Sequence, residues 1–191
     1  MLGRDFAAVL DAATSGDETA FAKLWRDVHP ALLRYLRVLT RDATLCEDVA
    51  ADVWVDVARR LRDFSGDESA FRGWLFTLAR RRAIDAWRQA ERTPVHLTAD
   101  HTDLDRPGAH DTAGLALERM STRRALDLIA TLPRDQAEAI ALRVIAGLDV
   151  KEVARLLGKR PGAVRVAAHR GLRTLAARLI EEPRDAVVRR R

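Results

Sequence analysis

Between Arg160 and Arg173 the chain spaces arginines, a histidine, small residues and one valine so that they share a helical face. With Val164 at zero and successive residues about 100° apart, Gly162, Arg165, Val166, His169 and Arg173 fall between about 100° and 200°. Arg170 sits at the edge of that face. A helix entering a major groove needs this set: guanidinium groups for phosphate and guanine, and short or apolar side chains where the backbone nears the bases. An exposed valine costs solubility, but Val166 would meet a thymine methyl. The competing reading is a solvated basic face on a structural helical hairpin.

Three other groups of residues could carry chemistry. Arg80, Arg81 and Arg82 follow Arg72 and precede Arg88, with Trp74 and Trp87 interleaved. Arginines beside aromatics suit single-stranded or distorted nucleic acid. Taken alone, the segment reads as core tryptophans with one arginine paired to Asp85. Asp48, Asp52 and Asp56 form an acidic stripe beside a valine face. Such a stripe is either the solvated side of a helix or, in a DNA-seeking protein, a face for a basic protein partner. His96, His101 and His110, with Asp100, Asp103, Asp105 and Asp111, could hold a metal ion, but their irregular spacing in a polar segment argues against it. No cofactor is expected. Cys46 is the single cysteine, which excludes an internal disulfide or a multi-cysteine zinc site. Cys46 and His29 lie in helical patterns with no partner nearby in sequence, so no catalytic nucleophile is expected.

The elements that must position these residues read as helices. Ser15-Gly16-Asp17-Glu18 has capping-box spacing, and Phe21, Leu24, Trp25, Val28, Leu32, Leu36 and Leu39 then step by three and four. Pro30 is predicted to kink or divide that helix. A second helix carries Leu45, Val49, Val53, Val57 and Leu61. Phe64 to Ser69 reads as a loop, and a third helix runs from about Ala70 to Arg92 with Phe71, Trp74, Leu75 and Leu78 on one face. Pro94, Pro107, Gly108 and Gly114 break the pattern over 93–118, predicting a linker too polar to form a core. Helical spacing resumes at Ser121 through Ala125, Leu126, Ile129 and Leu132, and again from Arg134 to Ala146, stopping at Gly147. Asp149 to Glu152 is a second capping box, opening a short helix that ends at Gly158. Pro161 starts the last helix, whose predicted buried side is Val164, Ala168, Leu172, Leu175 and Leu179. A short capped helix, a tight turn and a longer helix make a helix-turn-helix. No stretch alternates at period two, so the expected fold class is all-α, two small helical domains joined by a flexible acidic linker.

Composition agrees with a globular chain. Its 191 residues suit one large domain or two small ones, with 48% apolar and 32% charged residues. Net charge is +5, unevenly spread: residues 1–90 balance at 0, residues 91–118 carry −4 and residues 119–191 carry +9. Thirty of the 33 basic residues are arginine. Coding bias explains much of that count but not its concentration in the last segment, and a basic C-terminal block points to nucleic acid. No apolar run approaches the roughly 20 residues that span a bilayer, and the start carries no secretory pattern, so a cytoplasmic protein without membrane insertion is expected.

In this order the pieces resemble an extracytoplasmic-function sigma factor of bacterial RNA polymerase. The resemblance runs from about Ser15 to Leu179. It rests on Gly16-Asp17-Glu18-Thr19-Ala20-Phe21, on Glu47-Asp48-Val49-Ala50-Ala51-Asp52-Val53-Trp54, on Phe71-Arg72-Gly73-Trp74-Leu75-Phe76-Thr77-Leu78-Ala79-Arg80 continuing to Ala83-Ile84-Asp85, and on Leu132-Pro133 before the helix-turn-helix.

The resemblance implies a region 2-like domain over 1–92, a linker over 93–118, a region 4-like domain over 119–180 and a basic tail over 181–191, with no catalysis by this chain. It also implies that Glu47, Asp48, Ala51, Asp52, Trp54 and Asp56 meet the clamp helices of the polymerase β′ subunit. Ser65, Gly66, Asp67, Glu68, Ser69, Trp74, Arg80, Arg81 and Arg88 would read the −10 element, the loop taking a flipped base. Arg160, Gly162, Ala163, Arg165, Val166, His169, Arg170 and Arg173 would read the −35 element, with the β flap beside them. The linker would thread the polymerase, and an anti-sigma protein is a further implied partner. Three positions depart from the family pattern: Ala51 stands for a usual glutamine, Arg81 for a frequent asparagine, and Val166-Ala167 for a common Ser-Arg. The reading from a different class is a stand-alone helix-turn-helix regulator with residues 1–90 for dimerisation or sensing.

Overall fold

A computed structural model describes the backbone of residues 1–92 and 113–188 and the side chains of residues 1–89 and 120–180. The first half is a bundle of four helices: α1 (Phe6–Thr14), α2 (Glu18–Thr40), α3 (Ala43–Arg60) and α4 (Glu68–Arg92). Short 3-10 turns precede α1 at Gly3–Asp5 and follow α3 at Leu61–Asp63. The second half holds α5 (Ala113–Ala130), α6 (Arg134–Ile140), α7 (Val150–Leu157) and α8 (Pro161–Val188). There is no strand among the described residues.

Local chemistry explains most helix ends. Asp17, rather than Ser15, caps α2, accepting from the backbone N–H of Thr19 at 2.7 Å and Ala20 at 3.1 Å. Asp42 caps α3 by accepting from Leu45 N–H at 3.0 Å. Helix α2 runs undivided through Pro30, because Val28, Ala31, Leu32 and Tyr35 on either side are buried and tertiary packing outweighs the lost backbone bond. Helix α1 has no counterpart in the expected elements, although Phe6, Val9, Leu10 and Ala13 form its buried stripe. The chain from Arg134 does not continue as one α-helix to Ala146. It widens into a π-helical turn at Ala141–Ile145, closed by Ala146 N–H donating to the Ala141 carbonyl at 3.0 Å.

Two expected boundaries shift. Helix α5 begins at Ala113 rather than Ser121, so residues 113–118 are helical, while residues 93–112 of the expected linker lie outside the described residues. Helix α8 continues through most of the expected tail to Val188.

One apolar cluster runs through both halves. Leu24, Leu32, Tyr35, Leu36, Val53, Phe71, Leu75 and Phe76 fill the first bundle, and Leu132, Ile140, Leu142, Leu148, Val153 and Val164 fill the second. Helix α2 touches α5, α6 and the π-helical turn, and α4 touches α7. Polar contacts cross the same boundary. Arg72, 6% exposed, donates from Nε to the Ala146 carbonyl at 2.9 Å, and Arg37 pairs with Asp127 at 3.3 Å. The tyrosine at the centre, Tyr35, has no hydrogen-bond partner for its hydroxyl among the described residues. Burial and the nearby Glu138 carboxylate push that hydroxyl far above its ordinary pKa.

Candidate nucleic-acid interface

Helices α7 and α8 are set by signals within a dozen residues of one another. Asp149 accepts from Glu152 N–H at 2.8 Å while Glu152 Oε2 accepts from Asp149 N–H at 3.0 Å, a complete capping box. That backbone bond holds the Asp149 carboxyl below the usual carboxylate range. Gly158 takes a left-handed conformation with φ at 64°, reversing the chain as other residues rarely do, and Lys159 N–H closes on the Ala154 carbonyl at 2.8 Å. Val164 and Ala167 are buried, fixing the start of α8. At Gly171 α8 crosses α6 so closely that a Cβ would lie 2.6 Å from Ile140 Cδ1. The buried line of α8 is therefore Val164, Ala167 and Gly171, with Leu175 partly covered. Leu172 and Leu179, expected inside, point outward at 51% and 53% exposure because they lie one residue round the helix from that line.

The opposite face is open. Arg160, Gly162, Ala163, Arg165, Val166, His169, Arg170 and Arg173 are all exposed. Gly162, Arg165, Val166, His169 and Arg173, which helical spacing places on one face, are among these exposed residues.

The α4 surface is different. Asp67 caps α4 by accepting from Ala70 N–H at 2.8 Å, and Glu68 accepts from the backbone of Leu2 and Gly3. Ser69 donates to Glu152 Oε1 at 2.7 Å, and Arg80 donates from Nε and Nη2 to Glu138 at 3.2 and 3.4 Å. Both partners belong to the second half of the chain. Arg82 donates to Asp56 at 2.8 and 2.6 Å, and Arg88 lies 3.8 Å from Asp85. Ser65, Gly66 and Arg81 are exposed. Trp74 is partly buried and stacks on Phe64 at 5.1 Å between ring centroids, whereas Trp87 is half exposed with Arg134 over its ring. Beside that stack a cavity of about 330 Å³ is lined by Arg60, Asp63, Phe64, Ser65 and Trp74. Arg60 and Asp63 were not singled out in the sequence. They share this wall because the turn at Leu61–Asp63 folds the end of α3 toward the loop.

On α3, Glu47, Asp48, Ala51 and Asp52 are exposed, but the acidic stripe stops there. Asp56 is 6% exposed and spent on Arg82. Trp54 is buried, its Nε1 donating to His29 Nδ1 at 3.2 Å. Trp25, expected in the core, is partly exposed and stacks on His29 at 4.2 Å. Burial lowers the His29 pKa, keeping the ring neutral and able to accept from Trp54. Asp56 and Trp54 are thus supports beneath the exposed face, not part of it. No group of His, Cys, Asp and Glu able to hold a metal ion occurs among the described residues, and the His96–His110 segment lies outside them. Among the described residues no helix is long and apolar enough to cross a membrane.

Comparison with known proteins finds family matches in both halves of the chain. Residues 24–93 match the family model for Sigma-70 region 2, and residues 122–175 match that for Sigma-70, region 4. The chain is 36% identical over 179 residues to the ECF RNA polymerase sigma factor ShbA of Streptomyces griseus, covering 89% of this chain and 93% of that protein. It is 30% identical over 187 residues to the ECF RNA polymerase sigma factor SigD of Mycobacterium tuberculosis, covering 94% and 86%. Among solved structures, CnrH in complex with the cytosolic domain of CnrY shares the fold with a TM-score of 0.63 at 24% identity, covering 92% of this chain and 97% of that one. RpoE of Bartonella quintana, in complex with the anti-sigma factor NepR, does so with a TM-score of 0.62 at 20% identity, covering 83% and 96%. The protein that carries these two arginine-bearing helices belongs to the extracytoplasmic-function sigma factors, which direct bacterial RNA polymerase to promoters.

Proposed function

We propose that the two halves divide promoter recognition between them, residues 1–92 serving the −10 element and the polymerase clamp, and residues 119–180 serving the −35 element. The observation that carries this is the α8 face. Arg165, His169 and Arg173 stand exposed around Val166, on a helix held from behind by Val164, Ala167 and the Gly171 crossing. Such a face supplies guanine-directed donors and a methyl contact in one groove. For the −10 element, the cavity between Phe64, Ser65 and Trp74 offers two stacked rings with polar walls from Arg60 and Asp63, features suited to an unstacked base. Arg81 and Arg88 would then meet the backbone of the same strand.

Glu47, Asp48 and Asp52 supply the charge for a basic helical partner, the polymerase β′ clamp, with Val55 exposed beside them. An anti-sigma protein is part of the same proposal, since it would have to cover one of these faces to silence the chain. We assign the chain no catalytic step of its own and a cytoplasmic site of action, beside the polymerase. A stand-alone regulator is not favoured, since region 2 and region 4 both match.

The test is genome-wide run-off transcription with core polymerase. Initiation is expected at a discrete promoter set when the chain is added. Replacing Arg165 should lower use of those promoters through the −35 element alone, and exchanging Ser65 should shift −10 preference. Absence of any chain-dependent start site would overturn the assignment.

A further inference from the structure

We propose that the outward face of α2 is a further DNA-binding surface, a row of cations that holds the phosphate backbone of duplex DNA without reading its sequence. With Lys23 at zero and about 100° per residue, Arg26, Pro30, Arg34 and Arg37 fall with it inside an arc of about 80°. Lys23, Arg26 and Arg34 are exposed, and among the described residues no hydrogen bond or ion pair holds any of the three. Asp27, the acid at the edge of this arc, is largely buried and spent on Arg72 at 3.3 Å. Arg37 pairs with Asp127 and closes the row at the boundary with the second half.

Composition alone does not produce such a row. Residues 1–90 balance at zero net charge, and a solvated helix in a balanced block ordinarily mixes signs through i, i+4 pairs. Here the signs are sorted by face. Glu47, Asp48 and Asp52 are exposed on α3, whereas from Ala20 to Thr40 every exposed charge of α2 is positive.

The kind of partner follows from what accompanies the cations. Within the arc only Pro30 stands between Arg26 and Arg34, so the face offers no large apolar anchor of the sort that carries a protein interface. Trp25, the exposed ring of α2, lies about 100° round the helix from Arg26 and stacks on His29 at 4.2 Å. The row therefore gives unpaired bases nothing to stack on. It also lacks the small and apolar groups, such as Gly162 and Val166, that let α8 approach base edges. Charge on a rigid helix is what remains. Lys23 and Arg34 stand about 16 Å apart along the axis, the length of about five phosphates on one strand of B-DNA. Such a surface raises affinity for duplex DNA of any sequence and leaves promoter choice to other residues.

The full chain and its K23Q/R26Q/R34Q variant test this by fluorescence anisotropy on two labelled duplexes, one carrying a promoter found by run-off transcription and one scrambled. Because the three side chains are exposed and unpaired, the circular dichroism spectrum and the urea midpoint should not change. Each phosphate contact adds about 0.9 to the slope of log K against log salt, so the variant's slope should be shallower by about 2.7 on both duplexes. At about 50 mM salt the variant should bind both about tenfold more weakly, with the ratio of promoter to scrambled affinity unchanged. The substitution made in an R165A background should remove the same slope, which separates this surface from the −35 reading of α8. With core polymerase the variant should use the same start sites and lose output at lower salt than wild type does. An unchanged slope, or a fall in the promoter-to-scrambled ratio, would overturn the proposal. A larger loss on a single-stranded oligonucleotide than on duplex would overturn it in favour of a single-strand site. Weaker co-purification with core polymerase at an unchanged duplex slope would overturn it in favour of the polymerase.

Discussion

Helices α4 and α8 both carry arginines beside apolar residues, yet they meet their surroundings in opposite ways. On α8, Arg165, Arg170 and Arg173 face outward. On α4, Arg72, Arg80 and Arg82 are each bound to oxygen atoms of the same chain, and Arg88 lies beside Asp85. The contrast shows that a run of arginines is not by itself a binding face, because what decides is whether a carboxylate elsewhere in the fold lies within reach. In the second half, Glu138 of α6 and Glu152 in the first turn of α7 are the acids bonded to α4. The arginines at the start of α8 are therefore left to solvent, while those of α4 are drawn into contacts within the protein, Arg72 and Arg80 with its other half.

The comparison is tested most severely at Arg72. Replacing it with alanine leaves the Ala146 carbonyl and the Asp27 carboxylate short of a partner in a buried site, at a cost of about 3 kcal/mol. Urea titration should show the loss, and both halves should report it together if they unfold as one body. A change confined to the first half would break the claim that α4 arginines are structural across the boundary. The next largest effect belongs to α8. R165A and R173A should each weaken duplex −35 binding by about 1–3 kcal/mol with a direct base contact, leaving the urea midpoint unchanged. Fluorescence anisotropy on wild-type and scrambled −35 duplexes separates lost base reading from lost phosphate attraction.

These two predictions trace what the sequence makes legible. The α7–α8 pair is readable because all its signals are local: the Asp149–Glu152 box, Gly158 and Pro161 lie within a few turns of the residues they position. Helix α1 carried an equally plain signal in Phe6, Val9, Leu10 and Ala13, and periodicity alone would have found it. The pairings of Arg80 with Glu138 and Trp54 with His29 span 58 and 25 residues, and no spacing rule links such positions. Asp48, Asp52 and Asp56 look alike at period four, yet packing against α4 buries only the last. Leu172 and Leu179 lie outside the buried stripe for a related reason. The stripe that a helix buries depends on where its neighbour crosses, and that crossing is fixed by Gly171 meeting α6.

A smaller effect concerns the acidic face of α3. Reversing Asp48 and Asp52 to lysine should reduce association with core polymerase about tenfold while leaving helix content intact, since both side chains are exposed. The same reversal at Asp56 should instead destabilise the bundle, because it would set a lysine against Arg82. Co-purification unaffected by the first pair would remove the partner-facing role of the stripe. A loss of association from the Asp56 change without loss of stability would return that residue to the interface.

The smallest effect is titration at His29, which sits beneath the α3 face as Arg72 sits beneath α4. Burial lowers its pKa, so the unfolded chain takes up a proton at higher pH than the folded one does. The stabilisation from the neutral ring is therefore complete above the unfolded value near 6.5 and is lost as pH falls below it toward the depressed folded value. Protonation removes the acceptor for Trp54 Nε1 and places a cation between Trp25 and Trp54. Urea midpoints measured from pH 7.5 downward should fall across this window in wild type, and tryptophan emission should shift with them. In H29Q the fall attributable to this site should vanish, since glutamine offers an acceptor that does not titrate. Because His29 lies under Trp54 rather than on α8, duplex −35 affinity should show no His29-dependent change over the same range; a parallel loss would mean that the two halves communicate through α2, whose side chains reach both.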